Sequence, residues 1–207
     1  MKTIILASRK GGAAETTLAC HIAVEAERSG YGPAALIDTD PMQGAATWWD
    51  ARAAETPVLA SVGKSVPATL KALKAAGIAL VVVDTPPSAD SAVAALLPHA
   101  DLVIVPVQPS PHDLRAVGST VDFVNRGKRP MVFVVTRAKP RARLAAEAAV
   151  ELSQHGTVAP VSIPDRTAYA AAAIDGRTAP EMDPNGPAAA EIATLWTYLR
   201  KRMEALA

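Results

Sequence analysis

The run Arg9-Lys10-Gly11-Gly12-Ala13-Ala14-Glu15-Thr16-Thr17-Leu18 joins paired glycines, a lysine and two adjacent hydroxyls, residue types that together can cradle phosphate. Glycines let successive backbone N–H groups curl around phosphate oxygens, a lysine neutralises the β/γ charge, and a Ser/Thr hydroxyl ligates Mg²⁺. Two positions break that pattern. Ala14 stands where a glycine normally precedes the lysine, and Glu15 stands where the lysine itself belongs. As a bare motif the signal is therefore weak. Further acids follow apolar runs: Asp38 and Asp40 in Asp38-Thr39-Asp40-Pro41, and Asp84 in Val81-Val82-Val83-Asp84-Thr85-Pro86-Pro87. A carboxylate at the end of a buried strand is costly unless it meets a cation or hydrogen-bond donors. Asp before Pro also begins turns, so a plain capping role stays open for each of the three.

The elements that must position these residues read as alternating strands and helices. Thr3–Ser8, Ala34–Asp38, Val58–Ser61, Ala79–Asp84, Leu102–Val107, Met131–Thr136 and Val158–Ile163 are predicted strands. Thr16–Ser29, Gln43–Ala54, Pro67–Ala76, Pro111–Asn125, Arg141–His155 and Pro187–Leu206 are predicted helices, rich in alanine and several opening at proline. This alternation is that of an α/β, doubly wound, mostly parallel sheet. The nearly unbroken apolar runs at 78–83 and 102–105 suit central strands covered on both faces. In such sheets ligands sit beyond the carboxyl ends of the strands, where the glycine loop and all three acids fall. Residues 1–207 read as one domain, with Thr178–Pro187 a surface loop before the last helix.

Composition removes other classes of function. One cysteine, Cys20, excludes an intrachain disulfide framework or a four-cysteine cluster, and is expected to pack as a small apolar residue. His21, His99, His112 and His155 lack metal-ligand spacing, and no nucleophile–His–acid order stands out. No apolar run approaches the ~18 residues that span a bilayer, which points to the cytoplasm. Net charge is only +1, but it is uneven, at about −3 over residues 1–123 and +4 over 124–207. Most of the C-terminal basic residues fall in three groups: Arg126, Lys128 and Arg129; Arg137, Lys139, Arg141 and Arg143; Arg200, Lys201 and Arg202.

Taken in order, several segments resemble the ParA/MinD-type deviant-Walker P-loop ATPases. They are Lys10-Gly11-Gly12, Thr16-Thr17, Asp38–Pro41, Val81–Pro87, Val105-Pro106-Val107-Gln108-Pro109-Ser110, Val134-Val135-Thr136-Arg137 and Ile163-Pro164-Asp165-Arg166. The compact length is similar to the small plasmid-partition (ParF-like) subgroup. The resemblance implies a P-loop NTPase fold that binds ATP/ADP with Mg²⁺ through Lys10, Gly11, Gly12, Ala13, Ala14, Glu15, Thr16 and Thr17. It makes Lys10 the lysine that reaches a partner's nucleotide in a sandwich dimer, Thr16 the Mg²⁺ ligand and Thr17 the next phosphate-contacting hydroxyl. It casts Asp40 as the residue orienting the attacking water, Asp38 as a helper in the metal shell and Asp84 as the carboxylate holding Mg²⁺ through water. Thr136, Arg137, Pro164 and Asp165 fall where the family places its purine pocket, with a plain loop role still open.

The resemblance further implies an ATP-closed homodimer, nonspecific DNA binding on the nucleoid, and a ParB-like or other cargo adaptor that stimulates hydrolysis. Glu15 puts the chemistry in doubt. Two unit charges ~4 Å apart interact by ~4 kcal/mol at an effective dielectric of 20, so exchanging attraction for repulsion weakens nucleotide binding or turnover. The loop could have lost hydrolysis by substitution, belong to a natural non-hydrolysing regulator, or be compensated by another cation such as Lys10. Glu15 could also pair with Lys10 and withdraw both from phosphate. The last helix, with Ile192, Leu195, Trp196, Leu199 and Met203 at helical spacing, suits either core packing or a MinD-like membrane tail. Membrane binding is the less expected of the two.

Overall fold

The computed structural model describes residues 1–62, 65–87, 90–139 and 143–206, with the side chains of 90–92 left aside. Strands β1 (Lys2–Leu6), β2 (Ala34–Asp38), β3 (Val58–Leu59), β4 (Leu80–Asp84), β5 (Leu102–Val107), β6 (Met131–Ala138) and β7 (Thr157–Val158) pair in the order β3-β2-β4-β1-β5-β6-β7. A further short strand, β8 (Ile163–Pro164), pairs with the far end of β6. Every pairing is parallel. The expected sheet is therefore present.

Successive side chains of a strand point to opposite faces, and the two cores follow that period. Ile4, Leu6, Leu36, Val82, Ile104 and Val134 join one cluster, under α1 (Glu15–Arg28), α2 (Gly44–Asp50) and α9 (Pro187–Ala205). Ile5, Ile37, Val83, Val105 and Phe133 join the other, under α3 (Val66–Ala75), α4 (Asp90–Leu96), α5 (Pro111–Arg126) and α6 (Arg143–Ser153). The central strands are buried on both sides, which is why their sequences run nearly unbroken in Val, Ile and Leu. Sheet order reverses at β1, so the loop that follows β1 opens at the crevice where such folds take ligands.

Several local expectations need correction. The strand expected at Val158–Ile163 is two short pieces, β7 and β8, because Pro160 has no N–H to donate to a ladder. Two seven-residue helices, α4 and α7 (Thr167–Ala173), were not expected, being too short for a helical period to stand out. Thr178–Pro187 is not simply a surface loop. Thr178 is fully buried and caps α8 (Ala179–Met182) in a reciprocal box with Glu181. The start expected for α6, at Arg141, lies outside the described residues.

The apolar stripe of α9 is consumed by packing. Ile192, Leu195, Trp196, Leu199 and Met203 are all buried in the α1-side cluster, and Trp196 Nε1 donates to Ser29 Oγ at 2.7 Å. That face is not available as a membrane tail. Among the described residues no helix is long and apolar enough to cross a membrane. Cys20 is buried in the same cluster, as expected.

Candidate functional site

The loop between β1 and α1 is held open from outside. Thr136 Oγ1 donates to the Ala13 carbonyl at 2.9 Å, while Gln108 Nε2 and Arg137 Nη1 both donate to the Gly12 carbonyl, at 2.6 and 3.0 Å. These donors come from the ends of β5, which neighbours β1, and of β6, the next strand across. Gly12 (φ 88°) and Ala14 (φ 73°) take the left-handed conformation the curl requires. Glycine does so freely, whereas Ala14 carries a cost of roughly 1–2 kcal/mol from its Cβ. The expected difficulty at Ala14 is thus a feature of the fold.

Behind the loop, Thr16 Oγ1 donates to Asp84 Oδ2 at 2.7 Å, bringing together two of the three expected metal-site residues. Asp38 sits level with Asp84 on the neighbouring strand, but its carboxylate is engaged. Oδ1 accepts from Asp40 N and Oδ2 from Ala46 N, each at 2.9 Å, so Asp38 organises the turn into α2. Asp40 Oδ1 accepts from Met42 N at 2.9 Å, the turn geometry its Pro neighbour suggests. Gly44 lets α2 approach closely, since a Cβ there would meet Thr16 Cγ2 at 3.3 Å. Asp38 and Asp40 also line a cavity of about 680 Å³ with Leu59, Val62, Val66 and Leu96, a feature not read from the sequence.

Electrostatics around this centre are adverse to negative charge. Burial raises the Asp84 carboxyl to about 7, the Thr16 hydroxyl opposes the rise, and Asp38, Glu15 and Asp40 add to it. Glu15 is buried as well. Burial pushes its carboxyl up against the pull of nearby backbone amides and the Ser8 hydroxyl, and Asp40 adds a smaller upward push. Asp84 Oδ1 and Glu15 Oε1 have no hydrogen-bond partner among the described residues. A buried carboxylate oxygen without a partner beside a threonine hydroxyl is a hard-oxygen pair that fits Mg²⁺. The glycine curl fits phosphate, and Glu15 does not.

Lys10 is not paired with Glu15. Its Nζ lies 2.8 Å from Asp113 Oδ2, and the same oxygen accepts from Ser110 Oγ at the start of α5. Asp113, Ser110 and Gln108 were missed as site residues, although Ser110-Pro111-His112-Asp113 carries the Ser-x-x-acid pattern of a helix N-terminus. On the other side of the loop, Gly12, Ala14, Thr17, Arg137, Pro164, Asp165, Arg166 and Tyr169 line one cavity of about 290 Å³. The late-strand residues expected near a nucleoside thus come together with the loop, with Thr136 bonded beneath it.

The basic groups are unequal. Arg129 is spent on the carbonyls of Pro98 and Ala100, Arg143 pairs with Glu147, and Arg200 pairs with Glu204 and stacks over Tyr31. Arg126, Lys128, Lys139 and Lys201 are exposed, and Arg141 lies outside the described residues.

Residues 4–179 match the family described as the CobQ/CobB/MinD/ParA nucleotide binding domain. The maintenance of carboxysome distribution protein A of Gloeobacter kilaueensis is 34% identical over 146 residues, spanning 68% of this chain and 65% of that protein. Its namesake from Halothiobacillus neapolitanus is 28% identical over 200 residues, 91% of each chain. Among solved structures, a Cyanothece McdA–ATP complex superposes with a TM-score of 0.74 at 16% identity, covering 100% of this chain and 97% of that one. With the parallel sheet, the loop after β1 and the acids at the ends of β2 and β4, these matches make the chain a member of the CobQ/CobB/MinD/ParA nucleotide-binding family.

Proposed function

We propose that this chain is a ParA-like, nucleotide-dependent dimerising switch that positions DNA or protein cargo, and that Ala14 and Glu15 leave it weak in ATP hydrolysis. The observation that carries the second half is the buried Glu15 carboxylate, set where a lysine would meet the β/γ phosphates, its own pKa raised by burial and by Asp40, and its charge in turn raising that of Asp84. Phosphoryl transfer depends on neutralising charge over the transferred group. Here the local charge has the wrong sign.

The remaining parts support nucleotide binding. Backbone amides of the 11–15 curl and the Thr17 hydroxyl would hold phosphate, Thr16 and Asp84 would hold Mg²⁺, and Pro164 and Asp165 would face the nucleoside side. Mg²⁺, when bound, supplies positive charge against the phosphates. Asp40 would orient a water, on a loop anchored by Asp38 and by two bonds from Thr39 to the Asp84 carbonyl, Oγ1 at 2.8 Å and N at 3.0 Å. Lys10 would act only after leaving Asp113.

Relatives named for carboxysome distribution favour a protein cargo over a plasmid, reached through an adaptor protein and a nonspecific hold on nucleoid DNA in the cytoplasm. Exposed Arg126, Lys128, Lys139 and Lys201 are the candidate phosphate contacts, and their contribution would fall steeply with salt. The reading is tested by titrating the chain with fluorescent ADP and ATP in Mg²⁺. Micromolar to millimolar binding with slow turnover is expected, whereas absence of any nucleotide binding would refute it.

A further inference from the structure

The cavity between the loop and β8 holds a cation whose position matches a need the sequence creates. Glu15 removes positive charge from the start of α1, and the cations nearby differ in what they are free to do. Lys10 is tied to Asp113 at 2.8 Å, and Arg166 is bound to both oxygens of Glu191. Arg137, which lines the cavity with Gly12, Ala14 and Thr17, has as its ion pair among the described residues a 4.0 Å pairing with Asp165, both side chains about half exposed or more. Such a surface pair holds its partners weakly.

Arg137 is also placed with unusual backbone geometry. It takes a left-handed conformation (φ 53°) at the end of β6, uncommon for a long side chain, and its guanidinium returns to the Gly12 carbonyl at 3.0 Å. Clasping that carbonyl does not require a charge, because Gln108 already does so at 2.6 Å with a neutral amide. What Arg137 adds is a planar five-donor cation at the rim of the phosphate curl, with one donor spent on the loop.

Resting on the nucleotide reading above, we infer that Arg137 is the phosphate-binding cation of this site, reaching a nucleoside diphosphate from the end of β6 in place of the lysine that Glu15 displaces. This differs from a purine contact. A base-facing Arg137 would act through shape and hydrogen bonds that a neutral amide could partly replace, whereas a phosphate-facing one acts through charge.

The experiment measures ADP affinity by fluorescence titration on the intact chain carrying Arg137→Gln, Arg137→Lys or Gln108→Ala, with urea midpoints confirming that each is folded. Arg137→Gln keeps an amide donor and loses the charge, so about tenfold to hundredfold weaker ADP binding is expected. Arg137→Lys should recover most of that loss, and Gln108→Ala, which removes a clasp and no charge, should cost no more than about threefold. Equal losses for Arg137→Gln and Gln108→Ala, no loss for Arg137→Gln, or no recovery with lysine would each overturn the assignment. If the unaltered chain binds no ADP, the nucleotide reading itself fails and the assignment falls with it.

Discussion

Lys10 Nζ and Asp113 Oδ2 are 2.8 Å apart, so the lysine that the family resemblance sends to a partner's nucleotide is tied back to its own α5. Asp113 is nearly buried and Lys10 about half exposed, so the acid is the fixed end of the pair and the lysine the movable one. Asp113→Asn keeps the cap shape and removes the charge. Dimer formation, followed by light scattering during an ATP titration, should then begin at roughly threefold to tenfold lower nucleotide. An unmoved midpoint would mean that the bond exerts no hold on assembly.

Asp84 costs the fold stability once its carboxyl ionises. Its carboxyl sits at about 7 in the fold against 3.8 for the free group, raised chiefly by burial. The fold thus favours the protonated form. Its contribution is whole below pH 3.8 and is lost as pH rises through about 7. Asp84→Asn is expected to raise stability at pH 8 by roughly 2–4 kcal/mol, with little gain at pH 4. Mg²⁺-dependent nucleotide binding should weaken in the same variant. Urea unfolding at the two pH values checks the sign, and a loss of stability at pH 8 would contradict it.

His21 links the loop helix to α8. Its Nδ1 lies 2.7 Å from the Thr17 carbonyl and its Nε2 accepts from Ala179 N at 3.0 Å, so the ring is neutral with the proton on Nδ1. Burial lowers its pKa from 6.5 to about 4. A depressed histidine adds stability above the unfolded pKa and loses it as pH falls, here between 6.5 and about 4, by about 3 kcal/mol in all. His21→Gln should flatten the pH dependence of unfolding across that window. A slope equal to that of the unaltered chain would show that other groups carry it.

Arg52, just past α2, also ties this side of the fold to the C-terminal part. Its side chain is 4% exposed, bonds both Glu181 oxygens, donates to the Gly176 carbonyl at 2.7 Å and lies over Trp48. Glu181→Ala strands a buried guanidinium and also removes the cap on Thr178. A loss of about 3–5 kcal/mol by chemical denaturation is expected. A loss below about 1 kcal/mol would show that water or the remaining carbonyls satisfy Arg52.

The sheet was legible because its central strands announce themselves: β2 and β5 fall on the predicted bounds and β4 within one residue. Strong apolar runs leave little freedom. The short elements were not legible, since α4 and α7 have too few turns to show a period and the β7–β8 split depends on one proline. At the site, the difficulty at Ala14 came through from local sequence, and the Thr16–Asp84 meeting, 68 positions apart, only through the family resemblance. The other long-range partners did not. Nothing near Lys10 in the chain points to Asp113, 103 positions away, and the clasp on Gly12 joins residues 96 and 125 positions apart. Asp38 and Asp40 remain double-valued because their turn-forming bonds and their expected catalytic roles use the same carboxylates.

On the proposed reading, Ala14 and Glu15 localise a loss of phosphoryl-transfer chemistry on an otherwise intact nucleotide loop. Steady-state ATP turnover in Mg²⁺, compared between the native chain and one carrying Glu15→Lys with Ala14→Gly, tests it most directly. Restoring the cation and relieving the left-handed strain should raise kcat/KM by at least about tenfold to hundredfold. An unchanged rate, in a variant that is folded and binds ATP, would contradict it.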